Sequence, residues 1–216
     1  MRLPSESARY ELRVRYGRYV ITRLKQAKHG EMAGSAEKAT SRVKKTGRAV
    51  EDAAEPVQDA LAERDYFDGE LDDTTQAFRL KLSAVSVDAV KKPPYTQIFP
   101  QGIEYYTGSC LSDQVPRYKE LVTRIVQHLP GGDELRGPTE KALTAGVEGF
   151  EVSTAKVAEA RTALSMARTD LEAAEDEWDT AMEKTFGLLV AEVGKKKANH
   201  YFPRAKRVRS VEGSDE

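Results

Sequence analysis

Side chains able to do chemistry are few in this chain, and they are scattered. His29, His128 and His200 are its histidines and Cys110 its one cysteine. His29 with Glu31, and His128 near Glu120, do not have metal-ligand spacing. A di-metal site inside a helical bundle needs Glu-x-x-His pairs, and the sequence has none. A single cysteine excludes an internal disulfide and a multi-thiolate zinc site, and it fits a reducing compartment. With no histidine near it, Cys110 reads as a small buried apolar residue and not as a nucleophile. There is no Walker loop, dinucleotide glycine fingerprint, HExxH or GxSxG. The Lys44–Gly47 stretch follows no strand, so it is not a phosphate loop. The expectation is a protein that is not an enzyme, with no catalytic residue, metal or cofactor.

Two constellations suit binding instead. Residues 91–117 hold Tyr95, Phe99, Tyr105 and Tyr106 among prolines and glycines. Long irregular loops in compact proteins are usually functional or disordered, and this one is too aromatic for disorder. A small hairpin of Thr96–Phe99 with Ile103–Tyr106 fits the pattern. One reading makes Ile98, Phe99, Ile103 and Tyr106 a plug for the open base of a bundle. The other makes the four aromatics a partner-binding patch. The second constellation is basic: Arg9, Arg13 and Arg15, then Lys195, Lys196 and Lys197, then Arg204, Lys206 and Arg207. Tyr10, Tyr16, Tyr19, Tyr201 and Phe202 are interleaved with them, which suits base stacking or an interfacial belt. This predicts an anion-binding pole for nucleic acid or an anionic membrane.

Helices must position these groups. Hydrophobic residues are 39% and charged residues 32%, which suits long helices with narrow apolar stripes. The net charge of −1 gives no whole-molecule attraction to polyanions, so such binding must be local. Leu143, Phe150, Val157, Leu164, Leu171 and Trp178 recur every seventh residue. A column of mostly small residues, including Ala160, Ala167 and Ala174, alternates with them. Together they form the seam of a long packed helix from about Gly137–Pro138 to about Lys196, roughly 90 Å long. Ala36, Val43, Val50 and Val57 mirror this in the first half. Gly30 and Gly34 mark a kink or short break. Pro56 marks a kink without a new direction. Tyr10–Tyr16 alternates like a strand but is read as helix.

Between the long helices, Asp68–Gly69 marks a turn. A stripe of Leu71, Thr75, Phe78, Leu82, Val85 and Ala89 marks a second helix, and Pro116 starts a third. The expected architecture is all-α, an up-down-up-down helical bundle. Two long antiparallel helices extend from it into a two-helix coiled-coil-like stalk. Residues 1–198 are read as one elongated domain. Its four-helix region covers about 50–150, and its stalk pairs about 5–50 with 150–198. Residues 199–216 form a basic, then acidic, flexible tail.

Residue i of the first helix is expected to face roughly residue 200 − i of the last. That places Arg18, Arg23, Lys25 and Lys28 beside the acidic block Asp170–Asp179. Ala33, Ala36, Ala39 and Val43 look wider than one seam needs, which points to a second stalk and self-association. The leading reading is a structural or interaction protein with a protein partner or a second copy. Its alternatives are polyanion binding through the basic pole, or an enzyme with an unrecognised bundle pocket. No transmembrane run and no signal-peptide apolar region is present in the sequence, so a cytoplasmic protein is expected.

Overall fold

In the computed structural model of the chain, residues 1–5 and 7–203 are described. The helices are α1 (Tyr10–Gln26), α2 (Gly30–Ser83), α3 (Tyr95–Ile98), α4 (Glu104–Thr107), α5 (Leu111–His128), α6 (Arg136–Val193) and α7 (Lys195–Ala198). No strand occurs among the described residues. The protein is an all-α helical bundle in which α2 and α6 are long and pack together extensively. The chain divides into two compact units. Unit 1 comprises Met1–Ala54 with Ala163–Glu216, and unit 2 comprises Glu55–Thr162.

Unit 1 holds three long helical segments where the sequence pattern suggests two. The chain does not merely kink at Gly30–Gly34. It reverses just before them, and α1 packs antiparallel to α2, with Tyr10 against Gly47 and Gly17 against Thr40. The reversal is a Schellman cap. The His29 amide donates to the Leu24 carbonyl at 3.0 Å and the Lys28 amide to the Lys25 carbonyl at 3.1 Å. Lys28 sits in the left-handed region at φ +64°. Glycine usually fills this position, so the stop carries no glycine signature in the sequence. One consequence concerns the wide apolar stripe. Ala33, Ala36 and Val43 share a core with Val20 and Leu24 of α1 and with Trp178 and Met182 of α6. The width expected to need another copy is covered by α1.

The end of unit 1 corrects a second expectation. Gly194, at φ +80°, ends α6 and turns the chain. After α7, a 3-10 turn over Asn199–Tyr201 carries Phe202 back into the core. The Phe202 ring lies 6.4 Å from Tyr16 and 5.5 Å from Phe186. The flexible tail expected from residue 199 is therefore packed as far as Phe202.

In unit 2, α2 continues past Pro56 and through Asp68–Gly69, where a turn was expected. A helical glycine costs about 1 kcal/mol against alanine, too little to break a helix anchored on both sides. Here Phe67 packs beside Gly149 and Leu71 beside Gly146, both on α6. The expected second helix is thus the C-terminal part of α2, which keeps its original direction. α5 starts ahead of Pro116 and runs parallel to α2, with Gln114 bonded to Asp68 and Tyr118 to Asp72. The return from Ser83 to Leu111 is irregular chain carrying a 3-10 turn at Ala89–Lys91 and the short helices α3 and α4.

This changes the α2–α6 register. Thr40 meets Trp178, and Glu63 meets Lys156 at 2.7 Å. The 200 − i rule placed Thr40 near residue 160, because it took the helix to end at Asp68. The acidic block does face basic residues, but they are Arg13 and Arg42, not the set around Arg18–Lys28.

Candidate interaction surface

The aromatic segment forms two short helices, not a hairpin. Phe99 and Tyr106 are buried in the core of unit 2, and Tyr95 and Tyr105 pack against it. The Phe99 ring lies 6.0 Å from Phe78, 5.4 Å from Tyr95 and 5.9 Å from Tyr106. The Tyr106 hydroxyl donates to the Ile98 carbonyl at 3.2 Å, and burial pushes its pKa up to about 12. Helix α5 pins Tyr105. The Arg117 guanidinium stacks 4.4 Å from the centre of the Tyr105 ring, and the Tyr105 hydroxyl donates to Glu120 at 3.2 Å. Ile98 is fully buried as well, while Ile103 is half-buried. Cys110 is exposed rather than buried, because it lies just outside the first turn of α5.

Among the described residues, the predicted basic residues do not share one concavity. Arg13 is 2% exposed. Its guanidinium contacts Glu175 at 3.3 Å and Asp179 at 3.3 Å, and donates to the Ala8 carbonyl at 3.1 Å. It serves the interior of unit 1. Burial raises the pKa of Glu175 more than the neighbouring Arg13 lowers it. Arg9 borders a surface concavity of about 510 Å³ that it shares with Arg168 and with Glu51, Glu172 and Glu175. Lys196 lines a different one of about 500 Å³, with Met1, Arg2, Asn199 and His200. Arg15, Lys195 and Lys197 are exposed. Arg204, Lys206 and Arg207 lie outside the described residues. Of the interleaved aromatics, Tyr16 is committed inward. Its hydroxyl donates to the Arg2 carbonyl at 2.9 Å, and burial raises its pKa to about 12.

A third surface was not singled out by sequence. Helix α2 ends at Ser83, so Val85 leaves the buried stripe to which periodicity assigned it. Leu80 is 58% exposed, Val85 77%, Val87 100% and Val90 44%. These four fall within Leu80–Val90, beside the exposed Lys81, Lys91 and Lys92. Single exposed apolar residues are ordinary, whereas a cluster marks a contact surface. The alternation Val85-Ser86-Val87-Asp88 was the available signal. Valine, serine and aspartate are all mediocre helix formers, and together they favour a stop after Ser83.

No family model matches the chain, and neither a curated protein nor a solved structure is similar to it. Among the described residues no helix is long and apolar enough to cross a membrane. No group of three or more His, Cys, Asp or Glu there is placed to hold a metal ion.

Proposed function

We propose that this chain is a non-enzymatic interaction protein, a helical scaffold that presents the Leu80–Val90 segment to a partner. One observation carries the reading: Leu80 near the end of α2, and Val85, Val87 and Val90 between α2 and α3, are four large apolar side chains left in water within eleven residues. Fully burying a valine or leucine side chain contributes about 1.5–3 kcal/mol, so covering several of them supports a stable contact. Replacing Val85, Val87 and Val90 together by serine tests it. The fold should survive, since none of the three is buried, and on sedimentation of a native-cell lysate the variant should move from the heavier fractions expected of a partner-bound chain to those of the free chain. Unchanged sedimentation of the triple variant would contradict the reading.

The concavity at Lys196 supports a second reading, anion binding by unit 1. Arg2, Lys196 and His200 line it, with no carboxylate among its described lining residues. Binding of this kind weakens steeply with salt. Titration with a polyanion at rising salt tests it, and an affinity indifferent to Arg2→Ala/Lys196→Ala would remove it.

A further inference from the structure

Building on the reading of Leu80–Val90 as a contact segment, we infer that its partner is the surface of an anionic lipid bilayer. The shape of the segment selects a fluid partner. Val87 is wholly exposed on irregular chain just beyond the end of a helix, with Val85 close behind it. An apolar projection of this kind needs a matching pocket on a rigid protein. Lipid acyl chains part around it without one.

The charges select an anionic surface. Lys81, Lys91 and Lys92 flank the valines, and the carboxylate between them, Asp88, is paired with Lys91 at 3.7 Å. A lysine can lay its stem along the acyl boundary while its ammonium stays among the phosphates. Each lysine near an anionic leaflet strengthens attachment about fivefold.

The same charges disfavour a second copy of the chain. An isologous contact here would bring the lysines of one copy against those of the other, and like charges set face to face oppose association. Nucleic acid is disfavoured for another reason. Valines offer bases no π-face on which to stack.

Flotation of the full chain with vesicles tests the inference, comparing phosphatidylcholine alone with phosphatidylcholine plus phosphatidylserine. Wild-type protein should float with the phosphatidylserine vesicles only. Lys91→Ala/Lys92→Ala should weaken binding roughly 30-fold. Val87→Asp should weaken it about tenfold or more. Val152→Ser, at an exposed valine on α6, should change nothing. An environment-sensitive dye on Val87→Cys, in a Cys110→Ser background, should shift to the blue on the anionic vesicles.

Absence of flotation would overturn the inference, as would flotation indifferent to the lysine and Val87 substitutions. A concentration-dependent dimer abolished by Val87→Asp, seen by light scattering, would overturn it in favour of self-association. If vesicles are ignored while the serine triple variant still loses its cellular sedimentation, the lipid fails and the contact segment stands.

Discussion

Trp178 of α6 donates its indole N–H to the Thr40 hydroxyl of α2 at 3.0 Å, and Thr40 fills the space left by the missing side chain of Gly17 on α1. Three helices of unit 1 therefore meet at one buried polar contact. A β-carbon at Gly17 would overlap the Thr40 side chain, so overpacking with Gly17→Val should destabilise by about 1–3 kcal/mol. Thr40→Val keeps the shape and removes the acceptor. A buried donor left unsatisfied costs about 1–3 kcal/mol. Trp178 is the single tryptophan of the chain, so its fluorescence during urea unfolding reports unit 1 for both variants.

Arg13 makes a sharper case, because it is buried between two carboxylates that are only partly so. The side chains of Glu175 and Asp179 are 15% and 29% exposed. Removing one partner of a buried ion pair costs about 3–5 kcal/mol, and partial exposure here places Arg13→Met near the lower figure. Adding Glu175→Gln should recover part of the loss. A double-mutant cycle in urea measures that coupling, and simple additivity would show that the pair is not coupled.

Stability should also depend on pH through Asp68 and Asp72. Burial is the first cause raising both carboxyl pKa values. Acidic neighbours add to it: Asp72 and Asp65 for Asp68, and Asp73 for Asp72. Arg64 pulls Asp68 down, and the Tyr118 hydrogen bond pulls Asp72 down, each by less. An acid with a raised folded pKa binds its proton more tightly in the folded state. Its stabilising contribution is complete below the unfolded pKa of about 4 and is lost as pH rises through the folded value. Asp68→Asn/Asp72→Asn keeps acceptors for Gln114 and Tyr118 and removes the titration. The stability difference between variant and wild type should therefore grow in the variant's favour from about pH 4 upward. Melting temperatures across that range check it, and a constant difference would refute it.

Lys28 offers a gain of stability. It occupies the left-handed position of the Schellman cap, where an L-residue pays roughly 1 kcal/mol that glycine does not. Lys28→Gly should raise the melting temperature of unit 1 and Lys28→Val should lower it, both read by Trp178 fluorescence.

Much of this fold was legible in residue spacing. The seven-residue columns through Val43 and Trp178 marked two long helices that do pack together, and the acidic block Asp170–Asp179 does meet basic partners. The errors came from punctuation that tertiary packing overrode. Asp68–Gly69 reads as a turn, but Phe67 and Leu71 hold the helix through it, and that one misplaced end shifted the whole register. The true reversal at Lys28 hides in a residue type that gives no turn signal. Arg13 looked like surface charge because one-dimensional pattern does not show that α1 folds back over α6. Val85 looked buried because periodicity assigns a side without saying where the helix stops.

The claim that Leu80–Val90 is a contact segment is tested most directly by a photo-reactive diazirine side chain, placed at position 87 and, as control, at position 152, in chain expressed in its native cells. Adducts, whether to lipid or to protein, should form from position 87 well above the level from position 152, although both positions are exposed. Equal yields from the two positions would mean that the valines at the end of α2 face only water.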